Sequence, residues 1–227
     1  GIVRDGLVLD LDASVSDSYP GSGSTWTDLT GRGNTGTLTN GPTYNSSNGG
    51  SIVFDGVDDY VIFGSVFSLG TSSFTCNFWF KTTTGIDGYL ISKRSSSYTN
   101  SSAGWGVFKD SAGGRMRITI SDGTNVATPF IGTSDVGTNT WLNCCVVFDR
   151  VAGTCTNYTN TIANVSQSIS TVTGSIDNSA NLCIGDGPFD AWGEYDGNIA
   201  QVSIYNRALT AAEIQQNFNV TRSRFGI

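Results

Sequence analysis

The chain has 227 residues, 38% hydrophobic and only 14% charged, with 12 Lys and Arg against 19 Asp and Glu and a formal net charge of −7. That length admits one large all-β domain without forcing a split, and residues 1–227 read as a single domain with a short tail from about 219. The negative balance argues against a nucleic-acid partner or an anionic membrane surface, both of which need clustered positive charge. No run approaches the roughly 20 apolar residues that span a bilayer, so no membrane insertion is expected, and no signal-peptide pattern opens the chain.

Short alternating runs follow one another, separated by Gly, Ser, Asn and Asp. Leu7-Val8-Leu9-Asp10-Leu11 is the first. Ile52-Val53-Phe54 and Tyr60-Val61-Ile62-Phe63 flank a turn carrying Asp55, Asp58 and Asp59. In Phe74 to Lys81 the alternation puts Phe74, Cys76, Phe78 and Phe80 on one face and Thr75, Asn77, Trp79 and Lys81 on the other. The second face is solvent or a partner surface, and an exposed Trp79 there points to assembly. Arg115 to Ile120 repeats the pattern. Trp141 to Arg150 and Thr154 to Ile162 read as a hairpin about Val151-Ala152-Gly153. Leu182-Cys183-Ile184 and Ile199 to Tyr205 complete the strands. Many short strands with little helical periodicity predict a sandwich or a barrel.

One helix is expected, Leu209 to Phe218. Thr210 is its N-cap and Glu213 the partner in a capping box, with Ile214 and Phe218 packed on the domain. The tail from Asn219 to Ile227 either docks on a neighbour or folds back. Cys76, Cys144, Cys145, Cys155 and Cys183 lie in apolar strand runs without metal-type spacing and read as buried reduced thiols, which favours synthesis in a reducing compartment.

Several segments resemble one family. Asp5 to Asp12, the loop Trp26-Thr27-Asp28-Leu29-Thr30-Gly31-Arg32-Gly33-Asn34, the motif Phe54-Asp55-Gly56-Val57-Asp58-Asp59-Tyr60-Val61, the strand Trp141 to Asp149 and the closing Gly197 to Thr210 are similar, in that order, to landmarks of the concanavalin A-like lectin/glucanase superfamily in its laminin-G-like branch. The resemblance implies a jelly-roll β-sandwich of two antiparallel sheets with one short C-terminal helix. It also implies one structural calcium ion as the sole cofactor, held by Asp28, Asn34 and Asp55. A plain tight turn is the simpler reading of the Asp55–Asp59 cluster, since Asp bonds nearby backbone N–H groups, and the metal comes second to it. The closing Asn-Phe-Asn and Arg-Phe-Gly-Ile resemble the ends of virion proteins of tailed bacteriophages.

Catalysis has little to stand on. There is no His, which removes Ser–His–Asp and Cys–His chemistry, and Glu194 and Glu213 are the only Glu. No catalytic residue is assigned. The loop from Gly185 to Gly197 mixes aromatic and acidic residues, which suits a glycan: Trp192 and Tyr195 as stacking platforms, Asp186 and Asp190 as acceptors. The alternative is that Phe189 and Trp192 fold inward. The reading is a non-enzymatic virion surface protein, a capsid decoration or tail-associated part, partnered by other virion proteins or its own copies and by cell-surface glycans. The alternative is a carbohydrate-binding adhesin of a fibre or an extracellular protein.

Overall fold

The computed structural model describes residues 1–82, 88–94, 102–110, 115–132, 139–186 and 194–227. Among the described residues, seventeen strands run in chain order: β1 Leu7–Asp12, β2 Thr25–Trp26, β3 Gly36–Thr39, β4 Thr43–Asn45, β5 Ser51–Asp55, β6 Tyr60–Ile62, β7 Phe74–Thr82, β8 Gly88–Arg94, β9 Ala103–Asp110, β10 Arg115–Asp122, β11 Val126–Ala127, β12 Leu142–Asp149, β13 Thr154–Thr159, β14 Ile162–Ala163, β15 Gln167–Ser168, β16 Cys183–Ile184 and β17 Asp196–Tyr205. Helix α1 is Ala211–Thr221. No helix among the described residues is long and apolar enough to cross a membrane.

The strands form a jelly-roll sandwich of two antiparallel sheets. Sheet A is ordered β14-β13-β12-β7-β17-β5-β4, with β1 also on β17 and β15 on β13; sheet B is ordered β11-β10-β9-β8-β16-β6-β3-β2. The core lies between them. The expected stripe of β7 is there, since Phe74, Cys76, Phe78 and Phe80 all join it, with Trp105 of β9 and Val61 of β6. All five thiols are free and buried. Burial pushes the Cys183 thiol up to about 12, with the Asp186 carboxylate beside it adding to the rise; such thiols are poor nucleophiles.

The outer face of sheet A is covered by the chain itself. Trp79 is fully buried, stacked on Phe225 at 4.0 Å and on Phe218 at 5.6 Å, and its Nε1 donates to Thr221 Oγ1 at 2.8 Å. Trp79 is therefore not a partner surface. The tail folds back: α1 runs on to Thr221, a 3-10 turn follows over Arg222–Phe225, and Phe225 also meets Trp141 at 4.8 Å. Arg224 fixes that turn through Asp12 Oδ1 at 2.7 Å and the carbonyls of Asn48 and Gly50. The capping box of α1 forms as expected, with Thr210 N donating to Glu213 Oε2 at 2.9 Å and Glu213 N to Thr210 Oγ1 at 3.3 Å. The hairpin about Val151 also forms, with Asp149 opposite Thr154. The expected strand to Ile162 is interrupted, because Asn160 and Thr161 both take positive φ (48° and 73°) and turn β14 back onto β13.

Asp10 of β1 lies under the N-terminal segment, 3% exposed, with Oδ2 accepting from Arg4 Nη1 at 3.3 Å. Burial raises its pKa to about 6; Arg4 opposes this and the carboxylates of Asp12 and Asp28 add to it. A proton therefore binds the native state more tightly than the unfolded chain, where Asp titrates near 3.9. The stabilisation is full below pH 4 and lost as pH rises through 6. Asp10→Asn is expected to be more stable than the parent by on the order of 2 kcal/mol at pH 8, and to flatten the pH dependence between 4 and 6.5. Urea midpoints across that range check it; an unchanged slope refutes it.

Candidate functional site

The Asp28, Asn34 and Asp55 set does not converge. Asp28 is buried and spent on its own loop: Oδ1 accepts from Asp10 N and Thr30 N, and Oδ2 from Thr30 Oγ1 and Asn34 N. The Asn34 amide donates to Val8 O at 3.0 Å. These bonds close the loop onto β1. Asp55 belongs elsewhere. Along β17, Asp10 faces Ser203 while Asp55 faces Asp196. The intervening stretch of strand, at about 3.3 Å per residue, keeps them roughly 20 Å apart. One ion cannot be shared over that distance.

Asp55 has nearer company. Oxygens of Asp55, Asp58 and Asp59 lie within 4.8 Å of one another, the one grouping of this kind among the described residues. Asp55 and Asp58 are exposed and Asp59 is buried. The turn is also self-bonded: Asp59 Oδ2 accepts from Asp55 N at 3.1 Å and Asp55 Oδ1 from Val57 N at 2.9 Å. Burial raises the Asp59 pKa; the Asp55 N–H bond opposes this and the neighbouring carboxylates add to it.

The two described ends of the β16–β17 connection lie beside this turn. Its base is closed by Tyr195 N donating to Gly185 O at 2.9 Å. Gly185 has φ +88°, and a Cβ there would run into the Phe54 ring and lie 3.3 Å from Asp59 O. Tyr195 is an anchor, not a platform: it is 2% exposed, edge-on to Phe54 at 5.9 Å, with its hydroxyl 3.4 Å from Asn198 O. No ring face is left for a sugar. Asp186 stands at the foot of the loop. Asp190 and Trp192, with Phe189, lie outside the described residues. Asp55, Asp58, Asp59, Asp186 and Asp196 thus gather at one end of the sandwich, where β5, β6, β16 and β17 meet.

The outer face of sheet B adjoins this acidic rim. Thr119, Gly106, Ser92, Cys183, Ile62 and Thr37 face one another in a row across β10, β9, β8, β16, β6 and β3. One step toward the rim the row becomes Arg117, Phe108 and Tyr89 on β10 to β8, and Tyr60 on β6. Tyr89 and Phe108 rings meet at 5.0 Å. Glycines level this floor. A Cβ on Gly106 would sit 3.1 Å from the Tyr89 ring, and one on Gly104 3.1 Å from Arg94 Cγ. So Tyr89 and Arg94 lie flat across β9, and Arg94 reaches Thr119 Oγ1 on β10. Trp105, between the glycines, points into the core as expected.

Tyr60 was missed in the sequence reading. Val61 is fully buried in the core, so strand alternation turns Tyr60 and Ile62 outward, half-buried, next to Asp59. Along this face Tyr89 and Phe108 are buried, 1% and 3% exposed, so like Tyr195 they offer no ring face to a ligand, whereas Tyr60 is half-buried beside the exposed Asp55 and Asp58. A ring edge next to carboxylates at the end of the sandwich can meet the C–H face and hydroxyls of a sugar.

Away from the rim, Glu213 and Asp10 are each held in a structural role. Glu213 is lowered to about 2 by its bond to Arg207 and by the Thr210 N–H. Asp10, raised to about 6, is covered by the N-terminal segment.

Residues 55–215 match a laminin-G-type family described as the concanavalin A-like lectin/glucanases superfamily. Among solved structures the fold is similar to the binding domain of Paraclostridial Mosquitocidal Protein 1 (TM-score 0.72, 19% identity, 95% of this chain and 52% of that one). It is similar to the binding domain of botulinum neurotoxin serotype D (TM-score 0.71, 14% identity, 95% and 52%) and of serotype G (TM-score 0.68, 18% identity, 96% and 51%). At these identities the likeness is one of fold. The chain spans about half the length of those domains. No curated protein matches.

Proposed function

The chain belongs to the concanavalin A-like lectin/glucanase superfamily, and from that premise we propose that it is a non-enzymatic module that binds carbohydrate at the acidic end of the sandwich, beside Tyr60. The observation that carries this reading is the meeting of half-buried Tyr60 with exposed Asp55 and Asp58 at one end of the sandwich, a ring beside hydrogen-bonding carboxylates. The binding domains of similar fold support it. The setting we propose is the surface of a tailed-phage virion, attached to other virion proteins or its own copies and turned toward cell-surface glycans; the support is the resemblance of the tail sequence. A purely decorative part would offer an apolar face or a tail to its neighbours. Here Trp79 and Phe225 satisfy each other within the chain, which favours the binding reading.

The test is a glycan array on the folded chain beside Tyr60→Ala. Binding that is lost in the variant supports the assignment. Silence from a folded sample refutes it and returns the weight to a structural role.

Calcium belongs to the same proposal. The three carboxylates of Asp55, Asp58 and Asp59 are hard oxygen donors of the kind calcium takes, and they would hold it in place of the Asp28 set. An ion present at 100 times its Kd stabilises by about 2.7 kcal/mol, which at 2–4 °C per kcal/mol means a melting temperature about 5–10 °C lower after chelation. An identical melt with and without chelator refutes calcium.

A further inference from the structure

We propose that Asn40 is a self-modifying site, which loses its side-chain amide as ammonia and so adds a carboxylate beside the acidic turn. The chemistry favours Asn followed by Gly, because Gly carries no side chain to hinder attack by its nitrogen. The chain has two such pairs, Asn40-Gly41 and Asn48-Gly49. The Gly nitrogen bonds to the Asn Cγ and closes a five-membered imide. The bond from Cγ to the side-chain nitrogen breaks, and that nitrogen leaves as ammonia with the proton of the Gly amide. Water then opens the ring at either carbonyl. The products are Asp and its isomer, in which the backbone runs through the side chain. Water is the sole co-reactant.

The fold separates the two pairs. Both Asn residues are exposed and left-handed, with φ 69° at Asn40 and 53° at Asn48. Attack requires the side chain to swing onto the next nitrogen. Asn48 is pinned at both ends: its Oδ1 accepts from Trp141 Nε1 at 3.1 Å and its Nδ2 donates to Arg224 O at 3.0 Å. Gly49 is crowded as well, since a Cβ there would lie 3.2 Å from Arg224 Nε and 3.2 Å from Ser14 Cβ. Among the described residues Asn40 is pinned at one atom, Nδ2, which donates to Asp58 O at 2.9 Å. Gly41 is open: a Cβ there would approach Asp59 Oδ1 alone, at 3.9 Å. The product has no N–H to give Asp58 O and sets a negative oxygen against that carbonyl. Residues 40–42 also carry the chain from β3 in sheet B to β4 in sheet A, and the isomer adds a backbone atom to that short crossing. The acidic end therefore gains charge and slackens as the molecule ages.

The experiment is incubation of the folded chain in mildly alkaline heavy-oxygen water, followed by digestion and mass mapping of the peptides that take up the label. Asn40 is expected to convert about tenfold or more faster than Asn48, which must give up an extra hydrogen bond and a crowded site. In urea the two should convert alike. Trp141→Phe keeps a ring but removes the donor to Asn48 Oδ1, so it should speed Asn48 and leave Asn40 unchanged; circular dichroism confirms that it is folded. Asn40→Asp, the product made directly, should melt about 2–4 °C below the parent for the lost bond to Asp58 O. Equal conversion of the two sites in the folded chain overturns the proposal, as does an Asn40 that stays unlabelled when folded while the urea sample is labelled. Faster conversion of both sites in Trp141→Phe overturns the role given to the pin, and an Asn40→Asp melt equal to the parent's overturns the slackening.

Discussion

Phe225→Ala is expected to destabilise the domain by about 3 kcal/mol. The ring is 7% exposed and lies against Trp79 at 4.0 Å and Trp141 at 4.8 Å. Truncating a buried Phe costs about 3–5 kcal/mol, and the lower end applies because a chain end can relax toward the gap. The two ring contacts account for about 1–3 kcal/mol of that. Loss of Phe225 would also loosen the turn that Arg224 anchors on Asp12. Urea unfolding read by Trp emission measures it, and water reaching Trp79 should shift the native emission to the red. The loss should not depend on protein concentration. A concentration-dependent loss would mean that the tail serves a neighbouring copy and that the fold described above is wrong at this point.

Tyr195→Ala is expected to cost about 3–5 kcal/mol, as for other buried aromatics, whereas Tyr195→Phe should cost about 1 kcal/mol or less. The ring supports Phe54 and closes the base of the β16–β17 loop, while the hydroxyl makes one long bond to Asn198 O. Glycan binding should survive in the Phe variant. The opposite pattern, full stability in the Ala variant with binding lost, would restore Tyr195 as a sugar platform. Paired denaturation and array measurements on both variants separate the two.

The strand stripes were legible because a period of two sorts core from surface without knowledge of partners, as Phe74 to Phe80 and Val61 illustrate. The helix cap was legible because Thr210 and Glu213 meet within four residues. What the sequence hid was long-range. Trp79 sits among Thr75, Asn77 and Lys81 and so reads as surface; its cover, Phe218 and Phe225, comes from the far end of the chain. Asp28 and Asp55 belong to neighbouring motifs, yet β1 and β5 pair with different stretches of β17. The floor joins Arg117, Phe108, Tyr89 and Tyr60 through the order β10-β9-β8-β16-β6, which no local pattern encodes. Tyr195 looked like loop because its neighbours are polar, but its environment is set by Phe54 and Gly88.

The N-terminal segment and the tail both close over the outer face of sheet A: Gln216 of α1 donates to Gly1 O at 2.9 Å, and Arg222–Phe225 follows α1 directly. Anything fused, tethered or immobilised through residue 1 or residue 227 is therefore carried behind the sandwich, on the side away from sheet B and Tyr60. Biotin or a solid support attached at either end would present the same face to a glycan, and a bulky carrier at both ends would leave it open.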